Sequence, residues 1–139
     1  MSAPGRRQPD AALLLGLAAG LRTFSAPAAL VLRTRRLTAP RCAVLFAAAG
    51  ELVADKLPSM PSRLARRGLT GRLLSSAISG QLVGGPAGAM CAAGSALASA
   101  VAGHTMRARS PGWVTAVGED GLAIALASAG AMRARRSER

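Results

Sequence analysis

Large aromatic side chains are nearly absent from this sequence. Phe24, Phe46 and Trp113 are the three aromatic residues among 139, and there is no tyrosine, although half of the residues are apolar. A water-soluble core of this size usually depends on several rings, because each ring buries a large area. The apolar residues here are mostly alanine, leucine, valine and glycine, and small residues suit helices that pack closely within lipid. The composition therefore favours a single-domain membrane protein.

Acidic residues are also few. There are six of them against 18 lysines and arginines, which gives a net charge of +12. This charge could suit nucleic acid, but the basic residues form short clusters between apolar blocks, without interleaved aromatic residues or a nucleic-acid-binding motif. Loop arginines beside membrane helices explain the same charge. We therefore expect no nucleic-acid partner.

Cysteine and catalytic groups are sparse as well. Cys42 and Cys91 both lie in apolar segments without metal-ligand spacing or a disulfide framework, and we interpret them as packing residues. His104 stands alone, and neither serine nor cysteine has a base at a suggestive spacing. The glycine pairs do not make a dinucleotide fingerprint, because no strand–turn–helix unit surrounds them. We expect neither an enzyme nor a bound cofactor.

Long apolar segments dominate what remains. Spanning a bilayer takes about 20 apolar residues. Breaks are expected at Pro27 and at Gly84-Gly85-Pro86, since proline is well placed to open a helix. The fold class is therefore predicted to be all-α, a polytopic membrane helix bundle of about four transmembrane helices. The predicted spans are 11–32, 41–57, 85–103 and 113–132, with an interfacial or re-entrant helix at 73–83.

The arginine and lysine clusters predict an orientation. With four spans, both termini and the second loop share one side, which carries more of the basic residues than the other side. The positive-inside rule then predicts a multi-pass protein of the cell membrane with both termini in the cytoplasm. One alternative is a signal peptide built from Arg6, Arg7 and the apolar run 11–21. The later spans would still make a membrane protein.

A weak two-fold internal repeat accompanies these segments. Ala48-Ala49-Gly50-Glu51 recurs as Ala116-Val117-Gly118-Glu119. Each copy lies in the second helix of its half, and the first segment of each half is interrupted by a proline. Paired halves with interrupted helices are a pattern of transporters, in which the breaks mark the binding site.

Charged residues lie inside the predicted spans. One at the centre of a span costs roughly 2.5–3.5 kcal/mol, so such residues should pair, reach water or take up protons. At about 1.5 Å per residue, Arg22 and Glu51 reach similar depths, which predicts an ion pair between them. Glu51 and Asp55 are four residues apart and share a helix face. The charged residues concerned are Arg22, Glu51, Asp55, Glu119 and Asp120.

These carboxylates suggest a function. If Glu51, Asp55, Glu119 and Asp120 converge on one wet pocket, their hard oxygen ligands suit protons, Mg²⁺, Ca²⁺ or Mn²⁺, and the pattern does not specify a metal. We therefore favour a small transporter or channel for a cation or proton. Four short helices enclose little space, so we expect a homo-oligomer in the lipid bilayer. The proposed counter-charges are Arg22, Lys56 and Arg63, and the breaks at Pro27, Gly84, Gly85 and Pro86 would free backbone groups near the pathway.

Two other functions fit the same residues. The first is a non-transporting membrane scaffold or lipid-binding subunit, whose buried charges only fix helix packing. Its basic loops would contact anionic lipid headgroups. The second is an anion site centred on Arg22, if Glu51 points elsewhere.

Three stretches resemble the signature segments of a bacterial membrane-protein family. They are Gly20-Leu21-Arg22-Thr23-Phe24, Glu51-Leu52-Val53-Ala54-Asp55-Lys56-Leu57-Pro58 with Pro61-Ser62-Arg63, and Gly118-Glu119-Asp120. From about Leu13 to Ala127 the chain resembles the family catalogued as domain of unknown function 4126. The resemblance implies a small polytopic membrane protein and supplies no activity.

Overall fold

The computed structural model describes residues 8–33, 38–54, 66–110 and 112–136. These residues form five helices and no strand, so the all-helical prediction is confirmed. The helices are α1 (Pro9–Leu21), α2 (Ser25–Leu32), α3 (Ala39–Ala54), α4 (Arg66–Arg109) and α5 (Trp113–Arg136).

The first predicted span consists of two short helices, α1 and α2. The break lies at residues 22–24, ahead of Pro27, which falls in the first turn of α2. There a proline lacks only an N–H that would have no helical partner. Arg22 ends α1 because its backbone is extended, with φ −141° and ψ 121°. Leu30 of α2 packs against the cluster that contains Leu15 of α1, so α2 folds back along α1.

The second break is at Gly85 and turns α4 into a helical hairpin. Gly85 has φ 63° and ψ −158°, and Pro86 opens the arm that follows it. Residues 80 and 92 would lie about 18 Å apart in a straight helix. Instead, a Cβ added to Gly80 would meet the Cβ of Ala92 at 2.6 Å. The predicted helix at 73–83 and the predicted span at 85–103 are therefore the two arms of one hairpin, 66–84 and 86–109.

Helix α1 lies at the centre of the bundle. The arm 86–109 runs parallel to it, and the arm 66–84 and α5 run antiparallel. Three side chains of the parallel arm donate to α1 carbonyls at a constant spacing of 82 residues: Cys91 to Pro9, Ser95 to Leu13, and Ser99 to Leu17. In the antiparallel arm, Arg72 contacts Gly20 at the end of α1, and Gly84 lies near Gln8 just before its start. In α5, the carbonyl of Ala134, near the end of the helix, accepts from the side chain of Gln8.

Small residues fill the interior, and large apolar residues cover the outside. The buried apolar residues are alanines apart from two leucines, Leu15 and Leu21. Phe46, Met90 and Trp113 are each 78% exposed. Two of the described helices, α4 taken across its turn and α5, are long and apolar enough to cross a membrane by length and composition. The prediction of four such helices is corrected to two on this criterion, because α1 has only 13 residues and α3 only 16.

Candidate functional site

Three charged side chains from three helices meet at the break between α1 and α2. Arg22, which follows the last residue of α1, is 3% exposed. Its Nη2 donates to Oδ1 of Asp120 on α5, which makes a buried ion pair. Its Nη1 donates to the backbone carbonyl of Glu51 on α3, with 3.4 Å between the two atoms. Arg22 therefore joins α3 and α5 to the end of α1.

The carboxylate of Glu51 binds backbone amides at the start of α2. Its Oε1 accepts from the N–H of Thr23 at 2.8 Å, and its Oε2 accepts from the N–H of Phe24 at 3.0 Å. Amides at a helix N-terminus have no partner within the helix, and the helix dipole favours an anion there. The predicted ion pair between Arg22 and Glu51 is therefore wrong in its carboxylate: Arg22 pairs with Asp120, and Glu51 caps the helix that follows Arg22.

Three further side chains, which no sequence pattern singled out, stabilise the break. Arg72, 4% exposed, donates from Nη1 to the carbonyl of Gly20 at 2.7 Å, in the last turn of α1. Carbonyls at a helix C-terminus lack helical donors, and a cation there also suits the helix dipole. Ser75 donates to the Thr23 carbonyl, and Ser25 donates to the Arg22 carbonyl at 2.8 Å. In the sequence Arg72 resembles any other loop arginine, so only its place next to an apolar segment could have singled it out.

Arg22, Glu51 and Asp120 all line one cavity, of about 540 Å³, between α2, α3 and α5. Leu32 and Met132 also line it and are 68% and 60% exposed, so the cavity opens to the surface. Most of its wall is apolar. The remaining lining residues are Ser25, Ala28, Ala29, Arg33, Leu45, Ala48, Ala49, Leu52, Ala123, Ile124, Ala127, Ser128, Ala131 and Arg135.

Glu119 does not join this cavity, although it is adjacent to Asp120 in sequence. Consecutive residues point about 100° apart around a helix. Glu119 therefore faces the arm 86–109, where its Oε2 accepts from Nε of Arg107 at 2.9 Å. It lines a second, mostly apolar cavity of about 600 Å³. The expectation that Glu119 and Glu51 converge on one pocket is thus corrected.

The other predicted site residues cannot be placed in this way. Asp55, Lys56 and Arg63 lie outside the described residues. Within the described ranges, no group of three or more His, Cys, Asp or Glu could hold a metal ion. What the described residues bring together is one arginine and two carboxylates, each carboxylate accepting from N–H donors.

The three segments that carry the family resemblance supply this cluster, since Arg22, Glu51 and Asp120 each come from one of them. No family model matches the chain, and no curated protein or solved structure matches it significantly.

Proposed function

We propose that this chain is a multi-pass membrane protein that conducts or exchanges protons, or small cations, through the cavity beside Arg22, Glu51 and Asp120. The observation that carries the proposal is the buried Arg22–Asp120 pair at a helix break, at one end of a cavity that opens to the surface. In transporters, broken helices place charged groups and free backbone amides at the binding site. Here the amides before α2 are bound by the carboxylate of Glu51, which itself lines the cavity.

The distribution of side chains supports the membrane location. A core helix of a water-soluble protein has its apolar residues buried. In α4 and α5, only 28% and 33% of the residues in the apolar stretches are buried inside the protein. The fully buried positions include Ser76 and Ser79, whereas Leu82 and Met90 are exposed. Large apolar groups outside and small or polar groups inside suit lipid as the surrounding solvent.

A proton fits the cluster better than a metal ion does. The carboxylates of Glu51 and Asp120 already accept hydrogen bonds from N–H donors. A metal ion would have to displace these donors, whereas a proton neutralises Asp120 without needing a new ligand. Arginine stays charged under all ordinary conditions. Loss of the negative charge of Asp120 would remove the counter-charge of Arg22, and a local charge change of this kind can bias a two-state element.

Flux measurements test this proposal. The purified protein in lipid vesicles should dissipate an imposed proton gradient, read with a pH-sensitive dye inside the vesicles. Asp120→Asn and Glu51→Gln should each lower the flux at least tenfold. Asp120→Glu, which keeps the carboxylate, should retain part of the wild-type flux. Asp10→Asn is the matched control, because that carboxylate is 79% exposed and does not line the cavity. Wild-type protein that inserts into vesicles and passes neither protons nor monovalent cations would refute the transport proposal.

One observation favours a second candidate, a membrane scaffold that transports nothing. The three carboxylates within the described apolar helices, Glu51, Glu119 and Asp120, all accept hydrogen bonds from the protein itself. Buried charges of this kind also serve only to fix packing. In a scaffold, Asp120→Asn would lower stability and the wild type would show no flux. The resemblance to the family of domain of unknown function 4126 agrees with a membrane location in either case and remains a prediction.

A further inference from the structure

The cavity beside the charged cluster is elongated, and its two ends differ. Along α5 it extends from Asp120 to Arg135, a length of about 22 Å at the helical rise. Between these ends the wall consists mostly of apolar side chains. On α5 these are Ala123, Ile124, Ala127, Ala131 and Met132.

The end of the cavity opposite to the Arg22 cluster is basic. Arg33, just after the last residue of α2, and Arg135, in the last turn of α5, both line it. The guanidinium groups at this wall suit an anionic headgroup, and the apolar wall between the two ends suits an apolar chain.

We propose that this cavity holds an acyl chain of an anionic phospholipid, with the phosphate against Arg33 and Arg135. One leaflet is about 15 Å deep, half of a hydrocarbon core of about 30 Å, so a chain that starts near Arg135 would end short of the Arg22 cluster. A volume of about 540 Å³ lies within the usual range for small-molecule sites, about 300–1,000 Å³. Guanidinium groups bind phosphate through paired N–H donors. The inference rests on the proposed membrane location and does not require transport.

The leaflet also fits. Arg135 lies at the end of the bundle where α1 begins, since Gln8 donates to the carbonyl of Ala134. Arg33, Arg133 and Arg135 share this end, which corrects the predicted four-span arrangement with Arg33 opposite to the termini. A basic end is expected to face the cytoplasm, where the leaflet surface is anionic. A phospholipid from that leaflet would enter between α3 and α5, where Leu45 and Met132 line the cavity.

Native mass spectrometry tests the inference. Protein purified from membranes in detergent is mixed with dioleoyl phosphatidylglycerol or with dioleoyl phosphatidylcholine, which carry the same acyl chains. We expect tighter retention of one phosphatidylglycerol. Arg135→Gln should weaken that retention about fivefold, the usual effect of one basic residue on an anionic lipid. Arg133→Gln is the matched control, because Arg133 lies in the same turn and does not line the cavity.

A second variant tests the acyl chain itself. Ser128 is exposed and lines the cavity, so Ser128→Phe should fill the cavity from its rim without displacing the core. This substitution should weaken the retention of both lipids, while the melting temperature of the protein stays close to that of the wild type.

Several outcomes would overturn the inference. If Arg135→Gln and Arg133→Gln weakened the retention of phosphatidylglycerol equally, the assignment of the phosphate to Arg135 would be wrong. Oleate bound as tightly as phosphatidylglycerol would assign the cavity to a free fatty acid. A dimer that dissociates in Ser128→Phe would assign it to a second copy of the chain. If the protein itself were found outside the membrane fraction, the proposed membrane location would be refuted. Failure of the lipid site and failure of the membrane location are therefore distinguishable.

Discussion

Arg22 explains why the charged cluster exists. Arginine is a cationic side chain with donors and no acceptor, and Arg22 is almost completely buried. A buried cation needs a fixed counter-charge and hydrogen-bond acceptors, because the loss of water is otherwise too costly. Asp120 supplies the counter-charge, and the carbonyl of Glu51 supplies an acceptor. Any function that changes the charge of Asp120 would therefore also change the stability of the break between α1 and α2.

A double-mutant cycle on the buried pair should reveal strong coupling. Arg22→Gln or Asp120→Asn alone should lower the free energy of unfolding by about 3–5 kcal/mol, because each leaves a buried charge without its partner in the pair. The double variant should lose less than the sum of the two, by about 0.5–3 kcal/mol. Denaturant titration of the protein in mixed micelles, followed by circular dichroism, measures each value.

The exposed pair between Arg133 and Asp10 is the control for this cycle. Its two charged atoms are 3.9 Å apart, and the side chains are 59% and 79% exposed. Substitutions there should change stability by no more than about 0.5 kcal/mol. Additive losses at Arg22 and Asp120 would show that the pair does not act as a unit.

At this scale the sequence predicted the participants better than their contacts. Arg22, Glu51 and Asp120 stand out because charges are rare within apolar segments, and the structure brings all three to one cavity. Glu51 does lie close to Arg22, but the depth argument assumed a second span that returns from the opposite side, and the reversal of α2 along α1 contradicts that assumption. Depth carries no information about the direction in which each helix faces, so it could not tell that Asp120 is the partner or that Glu119 turns to Arg107.

Among the helices, the α4 hairpin determines how α1 is enclosed. Its two arms pack on α1 in opposite directions, and they approach each other at Gly80 and Gly88. A Cβ at either glycine would overlap the carbonyl of the other. Such close approach requires small residues, which is how helices gain packing energy in lipid.

Gly85 should be the least replaceable residue of the hairpin. Its φ of 63° with ψ of −158° lies in a region that is essentially restricted to glycine, and occupying it with another residue costs about 1–3 kcal/mol. Gly85→Ala should therefore lower the melting temperature or open the hairpin. Thermal unfolding in detergent measures the effect.

Gly84→Ala is the matched control for this substitution. A Cβ at Gly84 would meet its nearest neighbours at 3.8–3.9 Å, which is ordinary contact. Since alanine is favoured over glycine within a helix by about 0.5–1 kcal/mol, this variant should be as stable as the wild type or slightly more stable. Equal losses at positions 84 and 85 would contradict the assignment of the turn to Gly85.

The elements were predictable to the extent that they depend on local signals. Gly84-Gly85-Pro86 predicted the break in α4, because a proline and a flexible glycine act on the backbone at that point. The reversal between α1 and α2 was not predicted, since it depends on the contacts of Arg22, Glu51 and Arg72, which are distant in sequence. Counting apolar residues also overstated the number of spanning helices.

For the whole molecule, the arrangement of ends follows from α1 and α5. They run antiparallel, and the ion pair between Arg133 and Asp10 joins the start of α1 to the end of α5. Both described ends of the chain therefore lie at one end of the bundle. Ser110, between α4 and α5, lies at the other end, near the pair of Arg107 and Glu119.

This arrangement predicts which residues a membrane-impermeant reagent can reach. In a variant with Cys42 and Cys91 replaced by serine, Asp10→Cys and Arg133→Cys should react with an impermeant maleimide only after right-side-out vesicles are opened. Ser110→Cys should react in intact vesicles. The reason is that α5 separates the two ends of the bundle. The positive-inside rule places the end that carries Arg133 and Arg135 in the cytoplasm. Reaction of all three positions from the same side would mean that α5 does not cross the membrane, whereas the reverse pattern would keep the fold and invert its orientation.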